Sequence, residues 1–474
     1  MKKVRSIHFV GIKGVGLTPL AIIAKQAGIS VTGSDVSEEF ITSKTLEECG
    51  ITIYNGFSPD HVSPTIDLVI TTGAHDGLQN VEVLEAIKQR IPVMTKGQAV
   101  GEFMKGEIVG RSFSGIAIAG SHGKTTTTAM LTMLLQSNGL DPTYTVGTGS
   151  LGDGIPPGHL GKGKYFVAES DEYATDPQTD HKPQFMWLKP EIIVLTNIEH
   201  DHPDLYPTIE DVEMAFSNFS TNITPNGFII GNGDDARVAK ILARHIGKGI
   251  SFGFSEKNDY VLHRIHTSGS QTFFHVRSKG TELGEFRLSV AGQHNAMNAL
   301  AAAIVGLEVG LSLEKVKKGL SEFKGSKRRL EFKGQLITGA YVFDDYAHHP
   351  TEIKATLRAL RDSYPKHSLV AIFQPHTYSR TKAFIEDFVT CFDEAESVML
   401  VDIFSSAREQ KDDTVNSELL AKKISLRHPS SIFVPDMNLL PSILSHQRLR
   451  DNVVVVVMGA GNIYKIIDNL PLVS

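Results

Sequence analysis

"GIAIAGSHGKTTTTAMLTMLLQSNG", Gly115 to Gly139, carries an apolar strand-length run into a glycine turn, then a lysine, four threonines and an apolar stretch of helical length. Strand, glycine turn and helix in that order place backbone N–H groups and the positive end of a helix dipole around phosphate oxygens. The core Gly120-Ser121-His122-Gly123-Lys124-Thr125 is intact, although Ile118 stands where the full phosphate-loop pattern has its first glycine. In such a loop Lys124 neutralises the β- and γ-phosphates and the Thr125 hydroxyl ligates magnesium, with Thr126 opening the helix beside them.

Two acidic clusters follow this loop, each at the end of a strand-like run. "YFVAESDEY" brings Glu169, Asp171 and Glu172, and "IIVLTNIEHDHPD" brings Glu199, His200, Asp201 and His202. In a parallel sheet, ligands bind beyond the carboxyl ends of the strands, so both clusters are expected to converge on the phosphate loop. Phosphoryl transfer with a divalent cation is therefore favoured over hydride transfer.

A second glycine turn lies upstream, in "IHFVGIKGVGLTPLAIIAKQAGISVTGSD", Ile7 to Asp35. Gly11, Gly14 and Gly16 are spaced G-x-x-G-x-G, and an acidic residue follows about 20 positions on, which is close to a dinucleotide-binding fingerprint. Alone, it is compatible with a nicotinamide cofactor or with another diphosphate.

Strand and helix signals alternate from 1 to about 107, where the phosphate-loop unit begins. That unit runs to about 325 and includes antiparallel strands in "NDYVLHRIHTSGSQTFFHVRS" and a helix in "HNAMNALAAAIVGLEVG". Alternation resumes from 326 to 474. The reading is α/β throughout, in three domains: 1–107, 108–325 and 326–474. The length of 474 residues agrees, at about 150 residues per domain.

Composition removes other classes. With 41% hydrophobic residues and a mean hydropathy of -0.07 the chain reads as a folded soluble protein. A net charge of -6 argues against a nucleic-acid-binding surface. Cys49 and Cys391 suggest no disulfide framework or zinc site. The apolar run in "NVVVVVMGAGN" is far below the roughly 18 residues of a membrane span, and the N-terminal run is broken by glycines too early for a signal peptide. A cytoplasmic enzyme, monomer or homodimer, is expected.

The blocks "GSHGKTTTT", "TNIEHDHPDLY", "GQHNAMNALAA", "SKRRLE", "DDYAHHPTEI" and "FQPHTYSRT" together resemble the Mur ligase family, the ATP-dependent amino-acid ligases of peptidoglycan synthesis. The resemblance spans essentially the whole chain. It implies a Rossmann-like N-terminal domain binding UDP, a central P-loop ATPase domain and a Rossmann-like C-terminal domain that closes over the site. It also implies ATP and Mg2+ as cofactors and an acyl phosphate formed on the lactyl carboxylate of UDP-N-acetylmuramate. "DDYAHHPTE" and "FQPHTYSRT" point to the branch that adds L-alanine. The long segment Glu169 to Pro190 is shared instead with the recycling branch, which adds the L-Ala-γ-D-Glu-diaminopimelate tripeptide.

Carried over residue by residue, the resemblance makes Glu169 a further ligand of the first magnesium and His202 the ligand of a second. Asn295 and Asn298 become adenine contacts, and three residues apart on a helix they share a face. Arg329 becomes a phosphate contact, and Asp345 and Tyr346 lie where the C-terminal domain meets the nucleotide. His348, His376 and Arg380 are matched to the incoming amino acid, since an arginine fork suits a free carboxylate. Gly11, Gly14 and Gly16 hold the UDP diphosphate, with Ser34 and Asp35 near its nucleoside end. Lys124, Glu169, His202, His348 and Arg380 form the expected catalytic set. Phe216 stands where several branches carry a carbamylated lysine. An NAD-linked oxidoreductase and a nucleotide sensor without ligase activity are the competing classes.

Overall fold

The computed structural model describes residues 3–405, 409–446 and 452–473. They form three α/β bodies in chain order, each around its own sheet.

The first sheet has five parallel strands in the spatial order Thr52–Asn55, Ser30–Asp35, Ser6–Val10, Leu68–Thr71 and Val93–Thr95. Chain order reverses at Ser6–Val10, so a crevice opens beyond its carboxyl end, where the Gly11 turn lies. Gly11 has φ +80°, and a Cβ there would meet the Thr72 side chain at 2.5 Å, so both backbone form and space require glycine.

The second sheet has ten strands among the described residues. The phosphate-loop strand Ser114–Ala119 sits between Tyr165–Glu169 and Ile192–Leu195, all three parallel. Register aligns Ile118 with Glu169 and Ala119 with Leu195, so the loop and both acidic clusters leave the sheet on the same edge. The far side ends in the antiparallel strands Tyr260–Ser268, Gln271–Ser278 and Thr281–Leu288. Helices Lys124–Ser137 and Gln293–Glu308 pack on this sheet, with Leu131, Leu134, Leu300 and Ile304 in one apolar cluster.

The third sheet has seven strands among the described residues, its parallel centre formed by Ser397–Leu400, Ser368–Phe373, Val453–Met458 and Tyr341–Asp345. Val454 to Met458 are completely buried, as a strand covered by helices on both faces demands.

The segment from Glu169 to Pro190 has a structural role. Its hairpin, Ala174–Asp176 with Asp180–Pro183, straps the first body to the second. Asp176 Oδ2 accepts the Leu78 N–H at 2.9 Å, and a Cβ on Gly101 would lie 2.5 Å from the Trp187 carbonyl oxygen. Phe216 fills the core behind it, edge-on to Phe185.

Candidate active site

Two clefts meet at the phosphate loop. One, of about 410 Å3, is lined by the apolar side chains Phe252, Phe254, Val290, Phe323 and Leu330 together with Asn295, Asn298, Thr126, Asp345 and Arg329. The other, of about 390 Å3, runs from Gly11, Gly14, Gly16 and Asp35 past Lys124, Thr125, Glu169 and His202 to Tyr346, His348, His376 and Arg380. His122, Gly123, Arg329 and Glu352 border both. An apolar slot with two amides, opening into a charged trough, suits a nucleobase leading to a triphosphate.

The loop is built for anions. Gly123 has φ +82°, and a Cβ there would lie 2.5 Å from Asn298 Oδ1. Lys124 starts the helix; its Nζ donates to the Gly120 carbonyl at 2.6 Å and to both Glu172 carboxylate oxygens at 2.9 Å. Burial works against the ammonium charge, but Glu172 and Asp171 outweigh it and hold Lys124 protonated. Burial in turn pushes the Glu172 carboxyl up. Ser121 is tied to the neighbouring strand end, accepting the Glu199 N–H at 2.9 Å.

Thr125 Oγ1 donates to Glu169 Oε1 and accepts from Arg329 Nη2, both at 2.9 Å. The other Glu169 oxygen accepts the Gly147 N–H at 2.7 Å. A second group forms where His202 Nε2 lies 3.7 Å from Asp201 and 3.9 Å from Glu172. His202 is held at φ +56°, a backbone form unusual for a residue with a side chain. Hydroxyl and carboxylate oxygens suit a hard divalent cation such as magnesium, and the Glu172, Asp201 and His202 ligand atoms lie within 4.8 Å of one another. Thr125 with Glu169, and His202, therefore belong to two groups on one trough.

At the C-terminal side, Asp345 accepts the Leu330 and Ala347 N–H groups, each at 2.7 Å, and burial pushes its carboxyl up to about 6. Tyr346 lies under the Arg329 guanidinium, 5.0 Å from ring centre to Cζ. Burial lowers His348 to about 4, so its ring is neutral near pH 7. Its Nδ1 faces the Tyr346 carbonyl at 3.0 Å.

Three of the expected site residues are engaged by partners within the protein. Arg380 does not offer an open fork: Nε donates to Asp201 Oδ1 at 2.9 Å, Nη2 forms an ion pair with the same oxygen at 2.8 Å, and Nη1 lies 3.0 Å from His376 Nδ1. A guanidinium with 2% exposure must be paired, and Asp201 of the central body provides the charge. Ser34 is fully buried and its hydroxyl donates to Glu82, so its side chain supports the turn from behind. Asp35 borders the cleft, but its two oxygens accept the Lys13 and Val36 N–H groups at 2.7 and 2.8 Å. Its carboxylate braces the glycine loop, with His75 3.5 Å away.

Lys96 and Glu352 were not singled out in the sequence. Lys96 Nζ pairs with Asp171 at 3.0 Å and lies against Gly16, which ties the first body to the trough. Its signal was a lysine directly after a strand end on the glycine-loop edge. His200, of the second strand-end cluster, hydrogen-bonds the Tyr206 carbonyl at 2.8 Å.

A chain with this convergence of a phosphate loop, two acidic strand ends and an upstream glycine loop matches known proteins over nearly its whole length. The Mur ligase family catalytic domain matches residues 6–107, the Mur ligase middle domain 118–306, and the Mur ligase glutamate ligase domain 328–461. The chain belongs to the Mur ligase family. Among Mur ligases, it is 39% identical over 463 residues to a UDP-N-acetylmuramate–L-alanine ligase of Desulfitobacterium hafniense, covering 97% of this chain and 98% of that one. A UDP-N-acetylmuramate–alanine ligase structure from Thermotoga maritima superposes with a TM-score of 0.80 at 27% identity, over 98% of this chain and 97% of that one. A murein peptide ligase from Psychrobacter arcticus gives a TM-score of 0.72 at 25% identity, over 98% of each chain. As a Mur ligase fold the three bodies are expected, and among the described residues no helix is long and apolar enough to cross a membrane.

Proposed function

We propose that this Mur ligase joins L-alanine to the lactyl carboxylate of UDP-N-acetylmuramate with cleavage of ATP to ADP and phosphate. The observation that carries the reading is the single trough that runs from the Gly11 loop past Lys124 to His348 and His376. It accommodates a diphosphate, a reacting carboxylate and an amine in the order the reaction needs. The division of labour is residues 1–107 for the sugar nucleotide, 108–325 for ATP and 326–474 for the amino acid.

A carboxylate is a poor electrophile, so one of its oxygens attacks the γ-phosphorus and ADP leaves. The amine of alanine then attacks the acyl carbon, inorganic phosphate leaves, and the ammonium proton is lost. Lys124 holds the triphosphate once it is drawn off Glu172, and Arg329 reaches the same point from the C-terminal body. Asn295 and Asn298 orient the base within the apolar slot. Neutral His348, beside His376 and the outer edge of Arg380, lies at the amine end. Thr125, Glu169 and His202, with Glu172 and Asp201 beside it, would hold magnesium, which when bound screens the charge crowded between carboxylate and phosphates. Preorganised donors of this kind dominate charge-crowded transition states.

The relative that shares 39% identity across nearly its whole length favours alanine over the tripeptide. The long segment Glu169 to Pro190, which suggested the recycling branch, contains the strap that docks the first body on the second. Phosphate release from ATP in the presence of UDP-N-acetylmuramate, with L-alanine, glycine, L-serine or the tripeptide, tests the reading. The expected result is turnover with L-alanine. Release independent of amine, or with tripeptide alone, would contradict it.

A further inference from the structure

The seam between the central and C-terminal bodies is closed by the first turn of the helix Pro350–Ser363. Glu352 of that turn is two-faced. Its Oε1 accepts from His122 Nδ1 at 3.2 Å, across 230 residues of chain. Its Oε2 accepts the His348 and His349 N–H groups at 3.1 and 3.3 Å and lies 3.2 Å from His348 Nδ1. His122 belongs to the phosphate loop, and His348 borders the amine end of the trough. We infer that Glu352 is a positioning residue that couples the nucleotide loop to the amino-acid side of the cleft.

The surrounding contacts make this connection stiff. Thr351 Oγ1 donates to Glu199 at 2.6 Å, His349 Nε2 lies 3.2 Å from the His200 carbonyl oxygen, and the His122 and His349 rings pack against each other at a tilt, 4.6 Å between centres. His122 is thus held between Glu352 and Glu199, which lies 3.5 Å away, and both carboxylates favour the charged ring over burial. With Nδ1 of His348 facing both Tyr346 and Glu352, Nε2 is left as its polar atom for the cleft. A nucleotide that shifts the His122 loop therefore shifts the carboxylate that orients His348. A helix cap alone would explain the two backbone N–H contacts but neither histidine contact.

The inference rests on the ligase reading, and the test separates the two. Wild-type protein is assayed first for alanine-dependent ADP formation; none would refute the reading itself. The KM for L-alanine is then compared among wild type, Glu352→Gln, His122→Asn and the double variant. Gln keeps an oxygen for the cap and removes the charge. Each single change is expected to raise the KM about tenfold, within the span of measured site couplings, and the double change no more than either alone. The KM for UDP-N-acetylmuramate should stay within about twofold of wild type. Fully additive effects, or an unchanged KM for alanine in either single variant, would overturn the coupling. Should Glu352→Gln not fold, His122→Asn reads the same link from the opposite face.

Discussion

Lys124 is held by four oxygens, the Gly120 and Ser121 carbonyls and both carboxylate oxygens of Glu172. A buried ammonium needs such partners, so a triphosphate must offer better ones to draw it away. Glu172 is therefore a resting partner as well as a neighbour of His202. Lys124→Ala should lower kcat by at least about a hundredfold, the scale of losing one preorganised charge-stabilising donor. Calorimetric binding of UDP-N-acetylmuramate should be largely unaffected, because Gly11, Gly14 and Gly16 lie on a different sheet. Loss of both would mean that the variant no longer folds as three bodies.

At the scale of elements, the strap Ala174–Asp176 with Asp180–Pro183 decides how the first body faces the second. Asp176 is 1% exposed and collects the Leu78, Gln178 and Thr179 N–H groups. Leaving buried N–H groups unpaired costs about 1–3 kcal/mol each, and Leu78 adjoins the loop that carries His75. Asp176→Ala should raise the KM for the sugar nucleotide about tenfold while the KM for ATP changes little, as steady-state kinetics with each substrate varied would show. Strand and helix periodicity made the phosphate loop, the glycine loop and both acidic strand ends legible. Which strands lie side by side was not, because periodicity carries no long-range pairing. The placing of Ser114–Ala119 between Tyr165–Glu169 and Ile192–Leu195 is such a pairing. Ser34 shows the limit from the other side: its place in "TGSD" suggested ligand contact, whereas the Glu82 carboxylate, 48 residues on, claims its hydroxyl.

Across the whole molecule, charged groups close the seams: Lys96 with Asp171, Arg380 with Asp201, and His122 with Glu352 and Glu199. None of these pairs is visible in local sequence, since each joins residues of different bodies or of different strand ends. His122 gives the seam a pH dependence. Burial opposes its charge, but Glu199 and Glu352 prevail and raise it from 6.5 to about 10. A group with a raised folded-state pKa contributes its full stability below the unfolded value and loses it as pH rises through the folded one. The thermal midpoint of ligand-free protein should therefore fall more steeply between pH 6.5 and about 10 in wild type than in His122→Asn. Equal slopes would remove His122 from the seam. The central claim is that the sugar's own carboxylate is phosphorylated in the trough beside Lys124. Its most direct test is turnover with UDP-N-acetylmuramate labelled with oxygen-18 in the lactyl carboxylate, followed by mass spectrometry of the released phosphate. One labelled oxygen in each phosphate is the predicted result, and phosphate free of label would contradict the account.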